Sequence, residues 1–273
     1  MIRSLALSVL LVAAPAFAGP RDFLVQMGSV GGTTESAANY IEMFLRYTEA
    51  ALKWTANASV GSFFPDANGA IDYIKDKKPG FAMLDPEIWL ELRKKEDLQV
   101  LAAVHGHGID RGHLSVVVKG DKVKTLDDLK GKTLVANHLA SKRYLSKIVF
   151  DGKLDAATHF KLQPTQSPMK GLKALERGEA DATLLDDDQL AESKKLPFAA
   201  ELHVIYTSGA LPPAPLVAFG KVAKKDDAAQ VAKLVLTMCS DPKGAEVCKA
   251  LRITKFAAPD SKVVDDAIKR FEK

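Results

Sequence analysis

At 273 residues, with 26% charged and 47% hydrophobic side chains, the chain has the balance of a water-soluble globular protein. That balance excludes a disordered, collagen-like or multi-span membrane protein. Lys and Arg number 38 against 34 Asp and Glu, a formal charge of +4 that is too small and too dispersed for a nucleic-acid-binding face, and two cysteines exclude a scaffold built on disulfides.

Met1-Ile2-Arg3 supplies a positive charge, Leu5 to Pro15 is nearly all Leu, Val, Ala and Ser, and Ala16-Phe17-Ala18 closes the run with small residues at alternate positions. This is the pattern of a secretory signal over residues 1–18, cleaved after Ala18. A membrane anchor needs about 18 or more apolar residues, and Pro15 and Arg21 close this run early. No cysteine stands beside the cleavage point, so a lipid anchor has no attachment atom, and a soluble protein outside the cytoplasm is expected.

Phe23 to Met27 reads as a buried strand and Gly28 to Thr34 as a Gly-rich loop, after which Ala38, Ile41, Met43, Phe44, Tyr47 and Ala51 recur at helical spacing. Trp54 to Phe64 reads as extended, and Asp66 opens a helix through Ile71 and Ile74. Phe81 to Leu84 is a short strand entering Asp85-Pro86, where Asp suits a helix cap and Pro the first turn. Leu98 to Val104 completes an alternation of strands and helices that implies an α/β layer with a largely parallel sheet. A second run has strands at 114–118, 133–136 and 182–185, an extended segment at 160–162, a helical turn at 125–129 and an amphipathic helix over 139–150. In it Ser167-Pro168 opens a further helix, and Asp186-Asp187-Asp188 starts another. Strands at 202–206 and 216–219 precede three helices near 227–239, 242–251 and 260–271, with no strand expected to follow them. That ending, and the extended segments joining the two strand groups, favour two lobes over one barrel. The chain is expected to cross near 105–113 and 203–210, with lobe one at 19–112 and 204–273, lobe two at 113–203, and the C-terminal helices packed on lobe one.

Export makes Cys239 and Cys248, nine residues apart around Asp241-Pro242, an expected disulfide between adjacent helices; the alternative is two buried free thiols pointing apart. In the loop holding Ser29, Gly31, Gly32 and Thr33, consecutive glycines let backbone N–H groups turn toward one point, as ligand contact requires. The same loop also serves as a plain turn in which Thr33 or Thr34 caps the helix. It lacks the Lys-Ser/Thr of a Walker loop and the Gly-x-Ser-x-Gly frame of a hydrolase elbow. Asp85 and Asp186 stand at strand ends, where open α/β sheets place ligands. Asp85 suits a helix cap equally well; of the three acidic residues from Asp186, two read as a solvated helix start and Asp186 as facing the cleft. His105, His107 and His113, with Asp110, suit either a transition-metal site or a hinge in which His113 faces the ligand. No metal or other cofactor is expected.

Three stretches carry a family resemblance. Lys124-Thr125-Leu126-Asp127-Asp128-Leu129-Lys130-Gly131-Lys132-Thr133-Leu134-Val135 resembles the segment opening the second lobe of periplasmic solute-binding proteins. Leu175 to Ala182 is similar to the L-x-x-G-x-x-D-A step before their later lobe-two strand. Asp241-Pro242-Lys243-Gly244 through Leu251-Arg252-Ile253-Thr254-Lys255-Phe256 resembles the C-terminal run of the phosphate/phosphite/phosphonate-binding subgroup. The resemblance implies a two-lobed, type II periplasmic binding protein. Each lobe would be a mixed, mostly parallel sheet flanked by helices, delivering a small polar, anionic solute to a membrane ABC permease by hinge closure. The subgroup's Ser-Thr-Ser-Gly run corresponds here to Asn137 through Arg143, where Asn137, Ser141 and Lys142 are the contact candidates, and its later histidine corresponds to Met169. A monomer in the periplasm is expected. The competing functions are an exported enzyme using the same cleft, for which no triad or metal motif is present, and a ligand sensor for a signalling partner.

Overall fold

The computed structural model describes residues 21–28, 33–165 and 167–273. The expected leader and Ser29, Gly31 and Gly32 lie outside them. In chain order, β1 (Phe23–Gln26), α1 (Thr34–Leu52), β2 (Gly61–Phe64), α2 (Ala67–Lys77), β3 (Phe81–Leu84), α3 (Pro86–Leu92) and β4 (Leu98–Gly106) build the first unit. The second comprises β5 (Leu114–Lys119), β6 (Thr133–Ala136), α4 (Lys142–Tyr144), α5 (Ala156–His159), β7 (Lys161–Pro164), α6 (Pro168–Glu176), β8 (Ala182–Asp186), α7 (Asp187–Ser193) and β9 (Leu202–Thr207). The chain then returns through β10 (Ala214–Phe219), α8 (Lys225–Met238), α9 (Pro242–Ala250), β11 (Ile253–Ala257) and α10 (Ser261–Glu272).

The strands form two sheets, one ordered β11-β4-β10-β3-β1-β2 and the other β7-β6-β8-β5-β9. In the first, β1 runs parallel to β2 and β3, and β10 lies antiparallel between β3 and β4. The second repeats the device: β6 is parallel to β7 and β8, while β5 is antiparallel to β8 and β9. All four residues of β1 are buried, as expected where helices cover both faces of a sheet. On one face Phe23 stacks on Phe81 and meets Phe44 of α1 edge-on at 5.1 Å, and Val231, Val235 and Met238 of α8 close that core. On the other face Leu24, Ala82 and Leu84 join Ile88, Trp89 and Leu90 of α3. These continue without a break into Leu114, Val116, Leu134, Tyr144, Ile148 and Phe150 of the second lobe. The α3 side of lobe one is therefore the side that meets lobe two.

Local chemistry sets the helix starts. Thr33 caps α1 in a reciprocal box with Ser36, Asp66 caps α2 and Ser167 caps α6, each worth about 1 kcal/mol. Cys239 and Cys248 form a disulfide with a Cα–Cα distance of 5.6 Å, tying the end of α8 to α9.

Four expectations are corrected. A strand, β11, stands between the last two helices and pairs antiparallel with β4; a register shift between Ile253 and Lys255 spaces the buried Ile253 and Phe256 three apart, so period-two alternation is lost. The helix expected over 139–150 begins only at Lys142, where the Ser141 hydroxyl accepts from Tyr144 N, and widens to a π-helix over Leu145–Val149. Strand β9 persists to Thr207, which pairs with Ser115, so the return crossing runs over 208–213 and Leu202–Thr207 belongs to the lobe-two sheet. Finally, α8 and α9 cover lobe one, but α10 bridges both lobes. Arg270 Nη2 donates to Ile148 O of lobe two at 2.8 Å and Arg143 lies over the Phe271 ring, while Glu272 pairs with Arg93 of lobe one.

Candidate functional site

The parallel register of β1 and β3 pairs Gln26 with Leu84, which sets Asp85 beside the chain leaving β1. Asp85 precedes Pro86 at the start of α3, yet its carboxylate makes no capping bond. Its Oδ2 instead accepts from Gly28 N at 2.7 Å and Gln26 Nε2 at 3.2 Å, and its Oδ1 lies 2.8 Å from Arg111 Nη2. Arg111, in the first crossing, also forks onto Glu87 through Nη1–Oε2 at 2.6 Å and Nη2–Oε1 at 3.2 Å. All three side chains are buried. Burial pushes the Asp85 carboxyl up against the opposing pull of Arg111 and the Gly28 amide. Burial acts on Glu87 in the same sense, but the Arg111 guanidinium outweighs it and holds Glu87 below the usual carboxylate range. For Arg111, burial favours the neutral form and is overcome by the two carboxylates, so its pKa is raised.

Lobe two presents its own strand ends at the same place. Asp186 closes β8 and caps α7: its Oδ1 accepts from Gln189 N at 2.8 Å, and Gln189 Oε1 accepts from Asp186 N. Its Oδ2 is 3.7 Å from Nε2 of His138, which follows β6 and is likewise buried. The charge of His138 is felt at Asp85 and Glu87 across the lobes, and a direct bond between the two sides runs from Asp187 N to Arg111 O. The crossings are laced together: Arg111 O accepts from Asp187 N at 3.3 Å, and Gly112 O from Leu211 N at 2.8 Å. His113 Nδ1 lies 3.1 Å from Asp187 Oδ2, both partly exposed at this junction. Arg111 Nε, Asn137 Oδ1, His138 Nδ1 and Tyr144 Oη are buried with no hydrogen-bond partner among the described residues, groups of the kind a polar guest or ordered water satisfies. A small apolar hollow of about 170 Å³ opens at the tips of β1 and β3 between Met27, Met83, Ile109 and the first turns of α1.

The candidates are thus divided. Asp85, Asp186 and His113 gather along the seam between the lobes, and Asn137, following β6, keeps a buried Oδ1 with no hydrogen-bond partner among the described residues. Thr33 is exposed and caps α1. Ser141 is buried and commits its hydroxyl to α4 and to Glu91 Oε1 of α3 at 2.5 Å, a bond across the lobes. Lys142 is exposed beside a different hollow with Arg143, Lys147 and Asp155. The histidines diverge: His105 pairs with Asp110, His107 borders a hollow at the disulfide and His113 faces Asp187. Among the described residues no three metal-ligating side chains come together. Glu87, Arg111, His138 and Gln189 escape the sequence reading. Only Gln189 leaves a legible trace, because Asp186-x-x-Gln189 is a capping-box spacing.

Two α/β lobes with antiparallel insertions, joined by two extended crossings and meeting at their strand tips, define a two-lobed periplasmic binding protein of type II. The sequence profile of the ABC transporter, phosphonate, periplasmic substrate-binding protein family matches residues 35–263, and the chain belongs to that family. Its fold resembles a Xanthomonas citri protein bound to ATP, with a TM-score of 0.73 at 13% identity over 93% of this chain and 96% of that one. It resembles PhnD1 of Prochlorococcus marinus in complex with methylphosphonate, with a TM-score of 0.66 at 12% identity over 93% of this chain and 100% of that one. A binding protein component of an ABC phosphonate transporter from Pseudomonas aeruginosa gives 0.65 at 17% identity over 92% and 85%. No curated protein sequence matches. Among the described residues no helix is long and apolar enough to cross a membrane.

Proposed function

We propose that the chain, exported by its leader and acting as a soluble periplasmic monomer, captures a small phosphonate-, phosphite- or phosphate-like oxyanion between its lobes and presents it to an ABC permease in the closed form. The observation that carries this reading is the meeting of strand ends from both lobes on one buried polar seam at the first crossing, within a chain of the phosphonate-binding family. The N-terminal end of α1 is a source of backbone donors for the oxyanion. Asp187 and His113, partly exposed at the junction, suit a hydroxyl or protonated amine elsewhere on the same solute. Closure follows from the solute's differential affinity for the state in which both lobes touch it.

A thermal-shift panel of methylphosphonate, 2-aminoethylphosphonate, phosphite, phosphate, sulfate and amino acids tests this. A true solute at about 100 times its Kd adds roughly 2.7 kcal/mol of stability. Stabilisation by amino acids alone, or turnover of any hit, defeats the proposal.

A further inference from the structure

We infer that Arg111 is a positioning residue that couples the lobe-to-lobe hinge to Gly28 at the end of β1, acting through Asp85. The inference rests on the seam being the solute site. It deepens that reading by naming the residue that converts lobe rotation into a change at Gly28.

Arg111 lies in the first crossing and is bonded in both directions. Its main-chain carbonyl accepts from Asp187 N, the first residue of α7 in lobe two. Its guanidinium grips Asp85 and Glu87, at the start of α3 in lobe one. Asp85 passes the connection on, because its second oxygen holds Gly28 N at 2.7 Å, and Gly28 is where the chain leaves β1 for the loop into α1. The approach is close: a Cβ at Gly28 would stand 3.1 Å from Pro65 O and 3.4 Å from Asp85 Oδ2. Three contacts therefore run from lobe two through the hinge to Gly28, where the chain leaves β1. The middle of the chain is stiff, because a planar guanidinium bound to two carboxylates has fixed geometry where a lysine ammonium is a swivelling point charge. Rotation of the lobes about the crossings must turn Arg111 relative to Asp187, to Asp85, or to both. A change at the seam is thereby felt at Gly28, and the orientation of Gly28 in turn biases the hinge. Glu87 has a defined part, since it fixes the guanidinium from the other side so that Asp85 cannot follow a swinging arginine alone.

The test compares Arg111→Lys with wild type, and uses Arg46→Lys as a control for loss of another carboxylate-paired arginine, one that holds Glu49 and Asn57 through Nη1 and Ser59 O through Nη2. In the ligand-free protein, Arg111→Lys moves the backbone amide resonances of both Gly28 and Asp187, and Arg46→Lys moves neither. With methylphosphonate as the probe, Arg111→Lys weakens binding about tenfold while its unfolding midpoint stays close to that of Arg46→Lys. Should Arg111→Lys fail to fold, Glu87→Gln keeps the Arg111–Asp85 contact and loosens only its support, and a smaller shift of the same two amides is expected. An unmoved Gly28 amide in the folded variant, or undiminished methylphosphonate affinity, overturns the inference. Wild-type protein that binds none of the oxyanions overturns the solute reading instead, and the ligand-free resonances still decide the coupling.

Discussion

Asp85 and Asp186 occupy matching places in the two lobes: each ends a buried strand, precedes a helix and is itself buried. Their side chains nevertheless do different things. Asp186 has Gln189 three residues on and closes a reciprocal capping box, whereas Asp85 has Ile88 there, which offers no returning side chain. The Asp85 carboxylate faces sideways instead, where Gly28 and Arg111 take it. The same residue at the same topological position is a helix terminator in lobe two and a tie to the hinge in lobe one. What separates them is the company each carboxylate keeps: Gly28 N and Arg111 for Asp85, Gln189 N for Asp186.

The largest effect that separates these roles is expected from Arg111→Met. Removing the cation leaves Asp85 and Glu87 buried without their partner, a change that costs about 3–5 kcal/mol in urea unfolding; a loss below 1 kcal/mol means water reaches the pair. Asp186→Ala removes the α7 cap and costs about 1 kcal/mol, and Asp186→Asn restores most of it because an amide oxygen can also accept from Gln189 N. An Asp186→Asn variant as weak as the alanine one places the importance of Asp186 in its charge beside His138 rather than in the cap.

Acid titration sharpens the contrast further. Glu87 has a folded pKa held below its unfolded value, so the stability it contributes is present above about pH 4.3 and disappears as pH falls through the lower folded value. Asp85 is shifted the other way, so its ionisation in the folded state works against stability as pH rises through its raised pKa. Glu87→Gln accordingly flattens the acid limb of stability against pH, and a limb of unchanged slope assigns acid sensitivity elsewhere. The smallest expected effect is that of Gln189→Ala, which leaves Asp186 capping from one side only and costs about 0.5 kcal/mol without disturbing Asp85 or Arg111.

Most strands and helices were legible because apolar spacing and end signals coincide. Asp66, Ser167 and Asp241 cap the helices they precede, and Gly178 ends α6 at a positive φ of 72°. The failures have local causes. The bulge in β11 hides its alternation, and the π-helical turn after Tyr144 keeps the apolar content of a helix while changing its winding. In the seam, the strand-end aspartates could be found from topology alone. Arg111 could not: in Ile109-Asp110-Arg111-Gly112-His113 it has the look of a solvated loop arginine, and only the fold brings two carboxylates from α3 onto it. Glu87 likewise resembles an ordinary first-turn acid until burial and pairing are known.

The Cys239–Cys248 bond has a practical consequence. It joins α8 to α9, and Cys248 lies within the core on the far side of the lobe-one sheet from α3, so it cross-links two helices that supply none of the seam's charged side chains. Closing so short a loop is worth roughly 2–3 kcal/mol in chain entropy. Recombinant material made in a reducing cytosol should therefore melt earlier than oxidised material while titrating its solute with the same affinity. Melting temperatures from the two preparations belong on separate scales; dissociation constants can be pooled.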